Sequence, residues 1–272
     1  FTYNALDTER DPHNSVSATL HRNEPPPADR PARVKNAIFR TIVPAKSKFM
    51  NPTSPINLLH DHPEVKPAFA RLLLAHGAGA PMTSPFMTQI TELLTARGVA
   101  VSRFEFAYMA ARKTDHIRRP PPRAERLIEE YATAVELLNN DRKVPPLPLL
   151  IGGKSMGGRI ATMVADDLFK AGTIKAAVAL GYPFHPPQKT DKLRTAHLQH
   201  FATPLLIVQG DRDPFGTRNE VVSYKLSSQI TFAWITQGNH DLKPPRSAPN
   251  SHETNLNSAA DAIANFALRF KH

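Results

Sequence analysis

Apolar residues along the chain fall into two alternating patterns. The first is the short unbroken run. Arg71–Ala75 (RLLLA), Leu147–Ile151, Ala176–Leu180, Leu205–Gln209 and Thr231–Ile235 are runs of this kind, bounded by glycines or turn residues. That is the pattern of strands buried on both faces of a sheet. Val99–Phe106 reads as another strand, and Ala37–Val43 (AIFRTIV) as a first one. The second pattern has helical spacing. Phe86, Ile90, Leu93 and Leu94 recur within Pro85–Arg97, and Gly98 follows as a stop. Leu127, Tyr131, Val135 and Leu138 mark one face of a helix over Arg123–Asn140. Helices over Gly157–Lys170 and Ser258–Phe270 complete the series. Strands alternating with helices predict an α/β fold, a mostly parallel central sheet with helices on both faces.

The polar, proline-rich residues 1–34 read as a flexible arm, with PPP at Pro25–Pro27. Residues 35–272 are expected to form a single domain, with 44–66 loop-like. The connection between Leu180 and Leu205 is too short for a large cap domain.

Composition narrows this picture little. Hydrophobic residues make up 41% of 272, enough for a sizeable core, and no apolar run is long enough to span a bilayer. The amino-terminal residues lack the regions of a signal peptide. With no cysteine in the chain, disulfides and thiolate metal sites are excluded. A cytoplasmic location, with no membrane association, is the expectation. The formal charge of +10 raises a nucleic-acid reading, but no binding motif accompanies it, and nucleic acid is not the expected partner. Arg112, Lys113, Arg118, Arg119, Arg123 and Arg126 form the one local basic cluster. It is either a solvated loop and helix start or a collector for an anionic substrate group.

Ligands of such sheets bind at the carboxyl ends of the strands, and four reactive-looking stretches fall there. Gly153-Lys154-Ser155-Met156-Gly157 spells G-x-S-x-G between a strand and a helix, the setting of a nucleophile elbow. His76-Gly77-Ala78-Gly79-Ala80 follows an earlier strand. Its turn is placed to supply a backbone N–H from Ala78, or else Gly79, which together with the Met156 N–H would form an oxyanion hole. Gln209-Gly210-Asp211-Arg212-Asp213-Pro214 offers an acid. Asp213 is preferred to Asp211, because the strand must turn before a side chain can aim back at the site. Gly238-Asn239-His240 offers the general base. Ser155, Asp213 and His240 occur in the chain order of the α/β-hydrolase triad. Taken singly, each has a plain reading as a loop serine, a turn carboxylate or one of twelve histidines. Their joint placement after separate strands favours the triad.

Other residues have weaker claims. His60-Asp61-His62 reads as a solvated loop without a third metal ligand. His185 lines the pocket or fills a packing position. Lys154 is expected at the surface or rim. Met82, Phe86, Tyr108, Met109, Tyr182, Phe184 and Phe215 are candidates for an apolar pocket wall.

The stretches RLLLAHGAGAPMTSPFM, RFEFAYMAAR, RRPPPRAERL, GGKSMGGRIA, LGYPFHPP, LRTAHL, LIVQGDRDPFGT and GNHDLKP, in order over about residues 70–245, resemble the dienelactone-hydrolase-like branch of the α/β-hydrolase superfamily. Related proteins in that group include a eukaryotic testis-expressed protein and a hydrolase-fold subunit of a chromatin histone-acetyltransferase complex. The resemblance implies a catalytic triad of Ser155, Asp213 and His240, with Asp213 as the acid because it precedes Pro-Phe-Gly. It implies a serine hydrolase for a small-molecule ester, thioester or lactone, needing no cofactor and no metal. The chromatin relatives raise a second reading, a hydrolase-fold module that binds a protein partner.

Overall fold

The computed structural model describes residues 56–64, 67–142 and 144–271. The amino-terminal arm and the strand expected at Ala37–Val43 lie outside these residues. The elements in chain order are β1 (Leu58–Asp61), β2 (Ala70–Ala75), α1 (Pro85–Thr95), β3 (Val99–Phe104), α2 (Ala107–Asp115) and α3 (Ala124–Asn140). They continue with β4 (Leu149–Lys154), α4 (Met156–Lys170), β5 (Ala176–Leu180), β6 (Leu205–Gly210), α5 (Arg218–Val221), β7 (Ile230–Ile235) and α6 (His252–Leu268). A short 3-10 turn covers Ala196–Leu198.

One seven-stranded sheet has the order β1-β3-β2-β4-β5-β6-β7. Every pairing is parallel except that of β1 with β3. Strand alternation splits the core into two layers. Leu73 and Ala75 of β2 pack with Tyr131 and Val135 of α3 and Ile160 of α4. Leu72 and Leu74 point to the opposite face and pack with Ile90 of α1 and Ile263 of α6. Both faces of the inner strands are therefore apolar, which is why they read as unbroken runs rather than as alternations. The Tyr131 hydroxyl reaches from α3 into the sheet. It accepts from Gly152 N–H at 2.9 Å and lies 2.7 Å from Gly152 O and 3.1 Å from Leu73 O, tying β2 to β4.

The structure differs from the sequence expectations in particular places. α2 falls in a stretch read as a basic loop. Only Tyr108 and Met109 of its nine residues are buried, too few to show a helical period. β1 falls in a stretch read as loop. Its Asp61 makes a bidentate pair with Arg103 of β3, and His60 lies 2.9 Å from Ser102 Oγ, so His60 and Asp61 belong to an edge strand rather than a solvated loop. α6 begins earlier than expected, because Asn255 and Ser258 dilute the pattern of its first turns. The connection from β5 to β6, residues 181–204, carries only the 3-10 turn and forms no lid domain. No helix among the described residues is long and apolar enough to cross a membrane.

Candidate active site

Strand β4 runs without a break into Ser155, where the backbone takes φ 52° and ψ −115°. A non-glycine residue at positive φ is strained. Here neighbours on both sides impose the strain. Ser155 N–H donates to Leu180 O at 2.8 Å, and Ser155 O accepts the first helical bond, from Arg159 N–H, at 3.0 Å. The turn closes only around glycine. A Cβ on Gly153 would sit 2.6 Å from Gly158 N, and one on Gly157 would sit 2.5 Å from His76 O. The result is a half-exposed hydroxyl on a sharp turn at the amino terminus of α4.

His240, in the turn after β7, faces this hydroxyl with its Nε2 2.8 Å from Ser155 Oγ. Its Nδ1 lies 2.8 Å from Asp213 Oδ2. The Asp213 carboxylate is fully buried, so Nδ1 carries the proton it donates there, and Nε2 is left to accept from the serine hydroxyl. Asp213 has two further donors, the Phe215 N–H at 2.9 Å and Gln209 Nε2 at 3.0 Å. The Phe215 ring lies 4.3 Å from the His240 ring between centroids, tilted by 34°. Asp211 is not brought to His240. Its backbone bridges Ile235 and Arg218 instead. The preference for Asp213 rested on the need for a turn. That turn is closed by Asp213 N–H donating to Gly210 O and Gly216 N–H donating to Asp213 O.

The turn after β2 lies beside the elbow, for a Cβ on Gly77 would sit 3.8 Å from Ser155 Cβ. Its carbonyls are held from behind. His76 Nε2 accepts from Phe106 N–H at 3.1 Å, so its Nδ1 carries the proton and donates to Gly77 O at 2.6 Å. Full burial keeps the His76 pKa below its ordinary value, consistent with a neutral ring. The Tyr108 hydroxyl donates to Ala78 O at 3.0 Å. With these carbonyls turned away, the N–H groups of Ala78, Gly79 and Met156 have no acceptor among the described residues.

Two residues of this site escaped the sequence reading. Lys154 is not at the surface or rim: it is 7% exposed. Its ammonium donates to His240 O at 2.8 Å, pairs with Asp241 Oδ1 at 3.2 Å and sits 5.2 Å from the Phe86 ring centroid. Burial lowers the pKa of the ammonium, and the Asp241 charge opposes that shift. Gly181, at φ +64°, leaves room for this arrangement. A Cβ there would lie 2.9 Å from His240 O and 3.3 Å from Lys154 Nζ. Gln209 is fully buried and links the acid to the turn after β5. Its Oε1 accepts from Tyr182 N–H at 2.7 Å, and its Nε2 lies near Tyr182 O, Asp213 Oδ2 and Gly216 O. A buried glutamine at a strand end and a lysine before the nucleophile are the only sequence signals for these roles.

The expected pocket wall is corrected in part. Tyr182 and Phe184 are fully buried core residues, their ring centroids 4.8 Å apart and the rings tilted by 59°. Phe86, Tyr108 and Phe215 stand nearer the site, Phe86 at the Lys154 ammonium, Tyr108 at Ala78 O and Phe215 against the His240 ring. His185 is 1% exposed, its N–H donating to Phe215 O at 3.2 Å and its Nδ1 3.0 Å from Pro186 O. No cluster of three metal-ligating side chains occurs among the described residues.

A family model described as an alpha/beta hydrolase domain matches residues 68–268. Among solved structures, the chain is similar to an alpha-beta serine hydrolase homologue from Coxiella burnetii, at 17% identity and TM-score 0.58, covering 81% of this chain and 94% of that one. It is similar to a Xanthomonas campestris protein described as a serine hydrolase without lid, at 17% identity and TM-score 0.60, covering 80% and 90%. It is also similar to a dienelactone hydrolase from Anabaena variabilis, at 20% identity and TM-score 0.57, covering 79% and 92%. At these identities the likeness is one of fold.

Proposed function

The chain belongs to the alpha/beta hydrolase domain family, and on that premise we propose that it is a serine hydrolase that transfers the acyl group of a small ester, thioester or lactone to water. The observation that carries the reading is the unbroken chain of contacts from Asp213 through His240 to Ser155, at 2.8 Å for each step.

In this reading His240 Nε2 takes the Ser155 proton as Oγ attacks the substrate carbonyl. Asp213 holds the Nδ1 tautomer and stabilises the imidazolium that forms. The tetrahedral oxyanion is received by the Met156 N–H and that of Ala78, or of Gly79. Each such donor is worth about 3 kcal/mol of transition-state stabilisation. His240 then returns its proton to the leaving group, an acyl-serine remains, and water activated by the same imidazole releases the acid. The dienelactone hydrolase and serine hydrolase likenesses support this chemistry. The absence of a lid domain among the described residues supports an open site for a small substrate.

The test is labelling by a fluorophosphonate probe. Wild type should label, and Ser155→Ala and His240→Ala should not. A well-folded wild type that does not label would overturn the reading in favour of a hydrolase-fold interaction module.

A further inference from the structure

The basic cluster around residues 112–126 is largely engaged. Arg119 pairs with Asp115, Arg126 with Glu130 and Lys113 with Glu105. The Arg112 guanidinium donates to Arg119 O and approaches Gly79 O. Unengaged cations lie instead in α4 and in the β5–β6 connection. Arg159 stands one turn into α4, and Arg194 lies in the β5–β6 connection, anchored by its N–H to Phe184 O at 2.7 Å and by Tyr182 OH to its own O at 2.8 Å. Both are half-buried. Neither guanidinium makes a hydrogen bond or ion pair with any described residue, and Arg159 Nε is wholly shielded from solvent without an acceptor.

One carboxylate, Asp166, acts on His197 beside them, but it makes no ion pair with either guanidinium. Asp166 is taken up by the N–H groups of Ala202 and Thr203 and by the Thr203 hydroxyl. His197 adds no negative charge. The Thr162 hydroxyl donates to Arg159 O at 2.8 Å and lies 2.9 Å from His197 Nε2, so that nitrogen carries the proton. Two guanidiniums that repel each other, partly stripped of water and unpaired, are a standing cost unless something anionic joins them. The amino-terminal end of α4 adds to the same positive field.

We infer that Arg159 and Arg194 form a subsite for an anionic group, a carboxylate or phosphate, carried by the substrate whose carbonyl meets Ser155. The inference rests on the hydrolase reading and narrows its substrate class to acidic esters or lactones. The fold places the two arginines for this. Arg159 is four residues, about 6 Å of helix rise, beyond Ser155. Arg194 follows β5, on the same carboxyl edge of the sheet. Guanidinium is the side chain suited to such groups, because its planar fork matches carboxylate and phosphate oxygens. Burial first, and then the Arg159 charge, lower the pKa of both Arg194 and His197, so the Arg159 charge reaches both neighbours.

The test compares p-nitrophenyl hemiglutarate with p-nitrophenyl pentanoate, an anionic and a neutral acyl chain of equal length. The wild type should favour the hemiglutarate in kcat/KM by roughly tenfold or more, the size of one charge-assisted hydrogen bond. Arg159→Met and Arg194→Met should each bring the ratio of the two esters close to one, and Arg159→Lys should keep part of it. A merely structural role would lower both esters together and leave the ratio standing, and that result overturns the inference. So does a wild-type ratio near one. Glutarate and inorganic phosphate, each tried as a competitive inhibitor, separate carboxylate from phosphate recognition, and competition by neither overturns the inference. Calorimetric binding of the same two anions to Ser155→Ala does not depend on turnover. Binding that Arg159→Met abolishes, with no ester cleaved by wild type, would overturn the hydrolase reading and leave the anion site standing.

Discussion

Replacing Lys154 by Met separates the site's geometry from the protein's stability. The side chain keeps its length but loses the ammonium that donates to His240 O, pairs with Asp241 and lies over the Phe86 ring. A hydrogen bond from a charged donor contributes about 1.5–3 kcal/mol. For the fold as a whole, most of that is offset, because the buried ammonium no longer has to be stripped of water and Asp241 is itself exposed. Stability should therefore change by no more than about 1 kcal/mol, or roughly 2–4 °C in Tm for a chain of this size. Catalysis has no such offset. The ammonium holds the His240 turn against the elbow, and about 1.4 kcal/mol lost from that tether lowers kcat about tenfold, with KM little changed. Steady-state kinetics on a p-nitrophenyl ester, with a thermal melt of the same sample, reads all three quantities. A kcat within twofold of wild type refutes the argument, as does a loss of activity that merely follows a loss of stability.

Other substitutions probe other parts of the arrangement. Tyr131→Phe leaves the buried Gly152 N–H without its acceptor and should cost about 1–3 kcal/mol in chemical denaturation; an unchanged midpoint would deny that the hydroxyl ties β2 to β4. Gln209→Leu strips the Tyr182 N–H of its acceptor and Asp213 of a donor. It should lower both Tm and kcat, in contrast to Lys154→Met. His197 is held down to about 4, first by burial and then by Arg159, whereas the unfolded chain takes up that proton below about 6.5. Stability linked to this ring is therefore complete above about pH 6.5 and is lost as pH falls towards 4. His197→Gln should flatten the fall in Tm across that window, and a slope unchanged by the substitution would contradict the assignment.

The parts of this fold that read well from sequence were those where one physical cause dominates. Burial on both faces wrote β2, β4, β5 and β6 as apolar runs, and the steric demands of the elbow wrote the glycines around Ser155. α2 and β1 were illegible because they are held by ion pairs and a few buried side chains rather than by a periodic face. Asp213 and His240 were legible through their positions after strands, though the choice over Asp211 needed an argument about turning. Lys154 and Gln209 were missed for a different reason. Their roles come from backbone carbonyls and amides delivered by distant turns, and no local pattern records which turns will meet. Arg159 and Arg194 are similar, since being unpaired is a property of the surroundings and not of the residue.

The sheet order distributes the proposed catalytic groups unevenly. Ser155 and the turn after β2 hang from interior strands, each gripped on both sides. His240 follows β7, which among the described residues pairs on one side only, with β6. Mild denaturant that frays this margin would withdraw the base while the rest of the sheet stays intact, so activity should fade at lower denaturant than bulk secondary structure. The chain has one tryptophan, Trp234, in β7 itself, stacked on Phe232 with Arg218 over its ring. Its emission is thus a built-in gauge of the margin on which turnover depends.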